Sequence, residues 1–141
     1  MSKMNWGRIV LGGLVAGLIM NVAEAALHAG ILGPDTEALY QKFGVAAPGA
    51  ANPLMLVAAT FVLGITSVGL YAAIRPRFGA GARTAVVAGL FVWVLAHVWS
   101  GIYLGFGYVG VIPAKLAFVP VAWGLFEAVL GTVAGAAVYK E

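Results

Sequence analysis

The sequence predicts an all-α integral membrane protein: a four-transmembrane-helix bundle with both termini on the cytoplasmic side. Three observations predict it. Hydrophobic residues make up 62% of the 141 positions and charged residues only 9%, with a mean hydropathy of +1.00, whereas soluble domains carry about 25% charged residues. The apolar residues fall in four runs, each near the roughly 20 residues that a helix needs to cross the hydrocarbon. The basic residues gather at alternate ends of those runs. The chain therefore reads as a single transmembrane domain, residues 1–141, with helices near 9–32, 53–74, 84–104 and 113–139.

The first run ends at Gly33-Pro34. Lys3, Arg8, an apolar stretch and Ala23-Glu24-Ala25 imitate a signal peptide with a small-residue cleavage site. The apolar stretch continues past that site to Leu32, so a retained helix is expected. Asp35 is a candidate N-cap for a short helix over 36–43. Leu39, Tyr40 and Phe43 of that helix share a side suited to the membrane interface. Residues 46–53, rich in Pro and Gly, form a breaker-rich linker. The second run ends at Arg75-Pro76-Arg77, and the third starts at Thr84. An uncharged, glycine-rich loop over 105–112 follows it. The fourth run starts at Pro113 or Leu116, and Pro120 is expected to bend its first turns. In lipid a segment must satisfy its own backbone hydrogen bonds, which selects helices over isolated strands.

Orientation follows from the basic residues near the helix ends. Lys3, Arg8, Arg75, Arg77, Arg83 and Lys140 fall on one side, Lys42 and Lys115 on the other. Six against two places the termini and the 75–83 loop in the cytoplasm. The net charge of +3 is then a topology signal, not a nucleic-acid signature. The absence of cysteine excludes disulfides, iron–sulfur ligation and thiol chemistry. No phosphate-cradling glycine loop follows a strand and no conventional catalytic triad is present, so a non-enzymatic role is expected.

The chemistry-bearing residues lie inside the runs. At 1.5 Å per residue, Glu24 stands about 24 Å above Arg8, His97 about 21 Å above Arg83, and Glu127 about 20 Å above Lys140. Thr60 stands about 22 Å above Arg75 by the same rise. One polar residue from each helix therefore reaches one level in the outer half of the bilayer, and His28 follows one turn beyond Glu24. On the first helix Gly13, Gly17, Asn21, Glu24 and His28 share a face; on the fourth, Glu127, Gly131 and Gly135 do. The pairs Gly13/Gly17 and Gly131/Gly135 have the small-xxx-small spacing of close membrane crossings, which predicts that helices one and four pack through them. Thr60, Gly64, Ser67 and Tyr71 on the second helix and Trp93, His97, Ser100 and Gly101 on the third are expected to converge with them on a polar interior.

Four readings fit this layer. As structure, Glu24, His97 and Glu127 fix helix register, at an insertion cost of about 2.5–3.5 kcal/mol for an acidic residue at a helix centre. Interhelical polar contacts return only about 0.6 kcal/mol on average, so structure alone is an incomplete account. As a proton relay or cation site, two close carboxyls share a proton beside a histidine, with Thr60, Ser67 and Tyr71 extending the path toward the cytoplasm. As a cofactor site, Glu24, His28, His97 and Glu127 supply ligands for a single metal ion, or one histidine ligates a haem or pigment. As an accessory subunit of a larger respiratory or photosynthetic membrane complex, or a homo-oligomer, the chain uses its glycines and Trp6, Trp93, Trp99 and Trp123 for packing.

Two stretches, 70–79 (LYAAIRPRFG) and 123–141 (WGLFEAVLGTVAGAAVYKE), with the opening 6–13 (WGRIVLGG), resemble an uncharacterised family of small bacterial four-helix integral membrane proteins. The resemblance spans nearly the whole chain. It implies the same topology and a bacterial inner-membrane location, and it implies no activity and no site residues.

Overall fold

The computed structural model describes residues 4–49 and 51–139; Lys3 and Lys140, counted above for orientation, lie outside them. Among the described residues every regular element is helical. Four continuous stretches, Trp6–Phe43, Ala51–Phe78, Ala82–Gly107 and Ala114–Val138, are long and apolar enough to cross a membrane.

The first stretch corrects the expected stop at Gly33-Pro34. Helix α1 (Trp6–Leu27) runs into a π-helical turn (His28–Leu32) and on, without a break, into α2 (Gly33–Phe43). Pro34 has no N–H to give, and its ring crowds the carbonyl four residues back. The wider π turn lies directly before it, and a proline in a first helical turn costs little. Asp35 is not a cap: Leu32 occupies that position, and the Asp35 carboxylate pairs with Lys115. The helix ends where Gly44 turns left-handed at φ 63°.

The second stretch, α3 (Ala51–Phe78), continues past Ile74 through Pro76. Gly79 and Gly81, at φ 86° and 123°, then make the short turn into the third. That stretch is α4 (Ala82–Trp93), a second π-helical turn (Val94–Val98) and α5 (Trp99–Gly107). The last, α6 (Ala114–Val138), starts after Pro113 and is uninterrupted at Pro120.

Helix α6 packs against α1, α3, α4 and α5, and α1 packs against both α3 and α6. Two glycine crossings bring α1 to backbone contact with its neighbours, and they correct the expected pairing. Gly13 and Gly17 face α3, where a Cβ on Gly64 would overlap the backbone of both. Gly12, one residue and about 100° away around the helix, faces α6 and meets Gly135, while Gly131 meets Met20 and Ala16.

The end of the bundle that carries Arg8, Arg75 and Arg83, here the basic half, is tightly filled. Ile9, Ala16, Val68, Ala72, Ala85, Ala88 and Ala136 form its core. Tyr71 and Tyr139 close it edge to face, with centroids 6.0 Å apart, and the Arg75 guanidinium lies 5.6 Å from the Tyr139 ring. The distal half is different. Residues 51–59 of α3 are all exposed, so α3 stands away from the bundle there.

Gly64→Leu is expected to destabilise the protein by more than the ~1–3 kcal/mol usual for overpacking, because backbone rather than side chain blocks the new group. Gly30, with nothing within 4 Å of a new Cβ, should accept alanine with little change. Thermal melts of the two purified variants make the comparison.

Candidate functional site

The distal half gathers the interior ionisable groups. Glu127 on α6 is 5% exposed, and Glu24 from α1 is the carboxyl side chain that lies beside it. A carboxylate has no hydrogen to donate, so two such groups can hydrogen-bond only through a proton held between them. The Glu127 Oε2 atom is buried and makes no hydrogen bond among the described residues. One residue before Glu24, the Ala23 carbonyl accepts from Trp123 Nε1 at 3.1 Å. This bond pins α1 to α6 beside the pair.

His97 reaches the same region from the third stretch, with Glu24 as the charged group acting on it. Its ring lies against Gly124 of α6, in the space a Cβ there would fill. Trp93, one turn earlier, donates from Nε1 to the Val121 carbonyl at 2.7 Å. Together these contacts fix the ring between two turns of α6, and its Nε2 is buried without a hydrogen bond among the described residues. The chain has two histidines, and each sits in one of the two π-helical turns. Such turns are rare and often accompany functional sites.

His28 stands one turn beyond Glu24 and is exposed. Its Nδ1 lies 3.1 Å from the Glu24 carbonyl and 3.6 Å from Glu24 Oε1. A carbonyl only accepts, so Nδ1 carries the hydrogen, and in the neutral ring Nε2 keeps a free lone pair. Between α1 and the splayed part of α3 lies a cavity of about 600 Å³. Asn21, Glu24, His28 and Thr60 supply its polar lining, and Pro53, Leu56, Val57 and Leu63 are among its apolar walls. Glu127 borders a separate cavity of about 350 Å³ with Ile19, Ala23, Trp123 and Leu130.

Among the described residues the hydroxyls of the expected polar path bond backbone groups and not one another. Thr60 donates to Leu56 at 3.0 Å, and Ser67 donates to Gly64 at 2.8 Å, each a carbonyl of its own helix. The Tyr71 hydroxyl accepts from Gly81 N–H at 3.2 Å. Ser100 is exposed and bonds Ala96 and His97 of its own helix, so it does not join the interior. The metal reading also lacks a ligand set: among the described residues no three His, Asp or Glu side chains are grouped to hold an ion, because His28 turns to the cavity and His97 to α6.

Sequence reasoning put Trp93 on the interior face beside His97 but missed Gly124, the hydrogen bonds that Trp93 and Trp123 make to neighbouring helices, and the Lys115–Asp35 clamp. A signal existed for the tryptophans. Trp93 precedes His97 and Trp123 precedes Glu127 by four residues, the spacing that places side chains on one helix face. No family model, curated protein or solved structure matches this chain.

Gly124→Ala should push the His97 ring off α6 while leaving His28 undisturbed. Nitrogen NMR of ¹⁵N-histidine protein checks this directly: one histidine's resonances move and the other's stay.

Proposed function

We propose that this chain is a multi-pass protein of the bacterial inner membrane, with both termini cytoplasmic, that holds an exchangeable proton in the outer half of the bilayer. The observation that carries the reading is the placement of the Glu24 carboxyl beside the buried carboxyl of Glu127. Two carboxyls placed together at an insertion cost of several kcal/mol suit a site that takes up and releases a proton, since ionisable residues within membrane helices are functional by default.

Membrane insertion is supported by the outer surface. Leu18, Phe91, Leu95, Trp99, Phe126 and Leu130 are all more than half exposed, a belt of apolar side chains suited to lipid. The first stretch, 38 residues long, spans about 57 Å at 1.5 Å per residue, so α2 projects beyond a hydrocarbon layer of about 30 Å. The packed core of the basic half separates the carboxyl pair from the cytoplasmic side, whereas the cavity beside Glu24 extends to Pro53 at the distal end of α3. The proton therefore exchanges with the outer side. A second reading, an accessory subunit of a larger complex, is favoured by Leu54, Met55 and Leu56, at 69%, 71% and 68% exposure. In that reading a partner helix covers α3.

Infrared difference spectra of oriented proteoliposomes test the proposal. A shared-proton carboxyl signal should respond to a pH step outside and not to one inside, and both Glu24→Gln and Glu127→Gln should abolish it. A signal absent from the wild type, or unchanged in either variant, would overturn the proton reading and leave the accessory one.

A further inference from the structure

We infer that the cavity between α1 and the distal half of α3 binds a lipophilic amine in its protonated form, seated with its ammonium on Glu24. The inference rests on the carboxyl pair described above and adds an occupant to the space beside it. At about 600 Å³ the cavity lies within the roughly 300–1,000 Å³ of small-molecule sites, and like them it is mainly apolar with a few polar groups placed together.

The hydrogen-bonding groups decide the occupant. Their donors are already used. Asn21 Nδ2 donates to the Gly17 carbonyl at 2.9 Å and to that of Val57 at 3.4 Å. Thr60 donates to Leu56, and His28 Nδ1 to the Glu24 carbonyl. What remains for a ligand on the carboxyl, amide and hydroxyl groups is acceptors: Glu24 carboxyl oxygen, Asn21 Oδ1 and Thr60 Oγ1. An anion or a ketone finds nothing to donate to it there, whereas an ammonium finds several acceptors on the α1 side.

Charge agrees with this. On the proposed reading the carboxyl pair shares one proton and bears a single negative charge, which one ammonium neutralises. The groups acting on Glu24 are Glu127 from α6, His97 from the third stretch and His28 from its own helix. Helix α3 brings no ionisable side chain between Ala51 and Leu70, so no lysine or arginine from that wall competes for the carboxyl. The remaining walls, Leu56 and Leu63 among them, suit an apolar body in a low-dielectric setting where the ion pair is strengthened.

Equilibrium dialysis of the full chain in lipid nanodiscs against 4-phenylbutylamine, 4-phenylbutanol and 4-phenylbutyrate tests the assignment. The amine should bind saturably, one per chain, and at least tenfold more tightly than the alcohol or the acid; this arm needs no variant. Glu24→Gln should weaken amine binding at least tenfold. Leu63→Trp, which fills the cavity from its apolar wall, should do the same while retaining the infrared signal of the carboxyl pair. Glu37→Gln, outside the cavity, should leave binding unchanged. Equal uptake of amine and alcohol, or binding indifferent to Leu63→Trp, would overturn the assignment. So would an absence of saturable binding, in which case lipid chains or a partner helix fill the space. If the infrared signal is present and amine binding absent, this inference fails and the proton reading stands; a missing infrared signal defeats the proton reading itself.

Discussion

The backbone contact of α1 with two neighbours in the basic half sets the geometry of everything distal to it. Glycines let helices approach without side chains between them, and a helix in such contact at one end has its direction fixed along its length. Gly13 and Gly17 seat α1 on Gly64, Ile65 and Phe61 of α3; Gly12 seats it on Gly135 of α6. Beyond Phe61 the two neighbours part. Helix α6 stays with the first stretch, held by Trp123 to Ala23 and, farther out, by Lys115 to Asp35 and to the Ile31 carbonyl. Among the described residues, helix α3 keeps the long Asn21 hydrogen bond to the Val57 carbonyl. The consequence is one closed seam, where Glu24 meets Glu127, and one open seam, where Glu24 meets a cavity.

Polar groups are divided along the same axis. In the basic half the buried hydroxyls of Ser67 and Thr132 satisfy themselves on carbonyls of their own helices, which leaves the interior apolar and closely packed. In the distal half several polar groups act between helices as well. Tryptophan donors bind carbonyls of a neighbour, a histidine ring takes the place of a side chain at Gly124, and two carboxyls lie side by side. The π-helical turns lie in this half too, where they rotate the following residues relative to a regular helix. The candidate site therefore lies where packing is least complete.

Much of the fold was legible in the sequence, because four apolar runs separated by breakers leave few alternatives. The end of the first run was not. Gly33-Pro34 reads as a stop, but a proline is tolerated when the turn before it widens, and no local signal reports the π turn. Residue counting set Glu24, His97 and Glu127 at one level, since rise per residue is nearly constant. The partner of the Gly13 face was beyond such counting. Gly12 and Gly13 are adjacent and differ by about 100° in direction, so either could have been assigned to helix four. The cavity was invisible for another reason: residues 51–59 have the same apolar composition whether packed or splayed. Gly124 likewise carries no mark of the ring it accommodates.

The claim on which the account turns is that Glu24 and Glu127 interact directly. A double-mutant cycle on folding stability, using Glu24→Ala, Glu127→Ala and the double variant in bilayer-mimetic conditions, measures that interaction most directly. The account predicts a coupling free energy within the ~0.5–3 kcal/mol found for residues in contact. Additivity of the two single effects would contradict it.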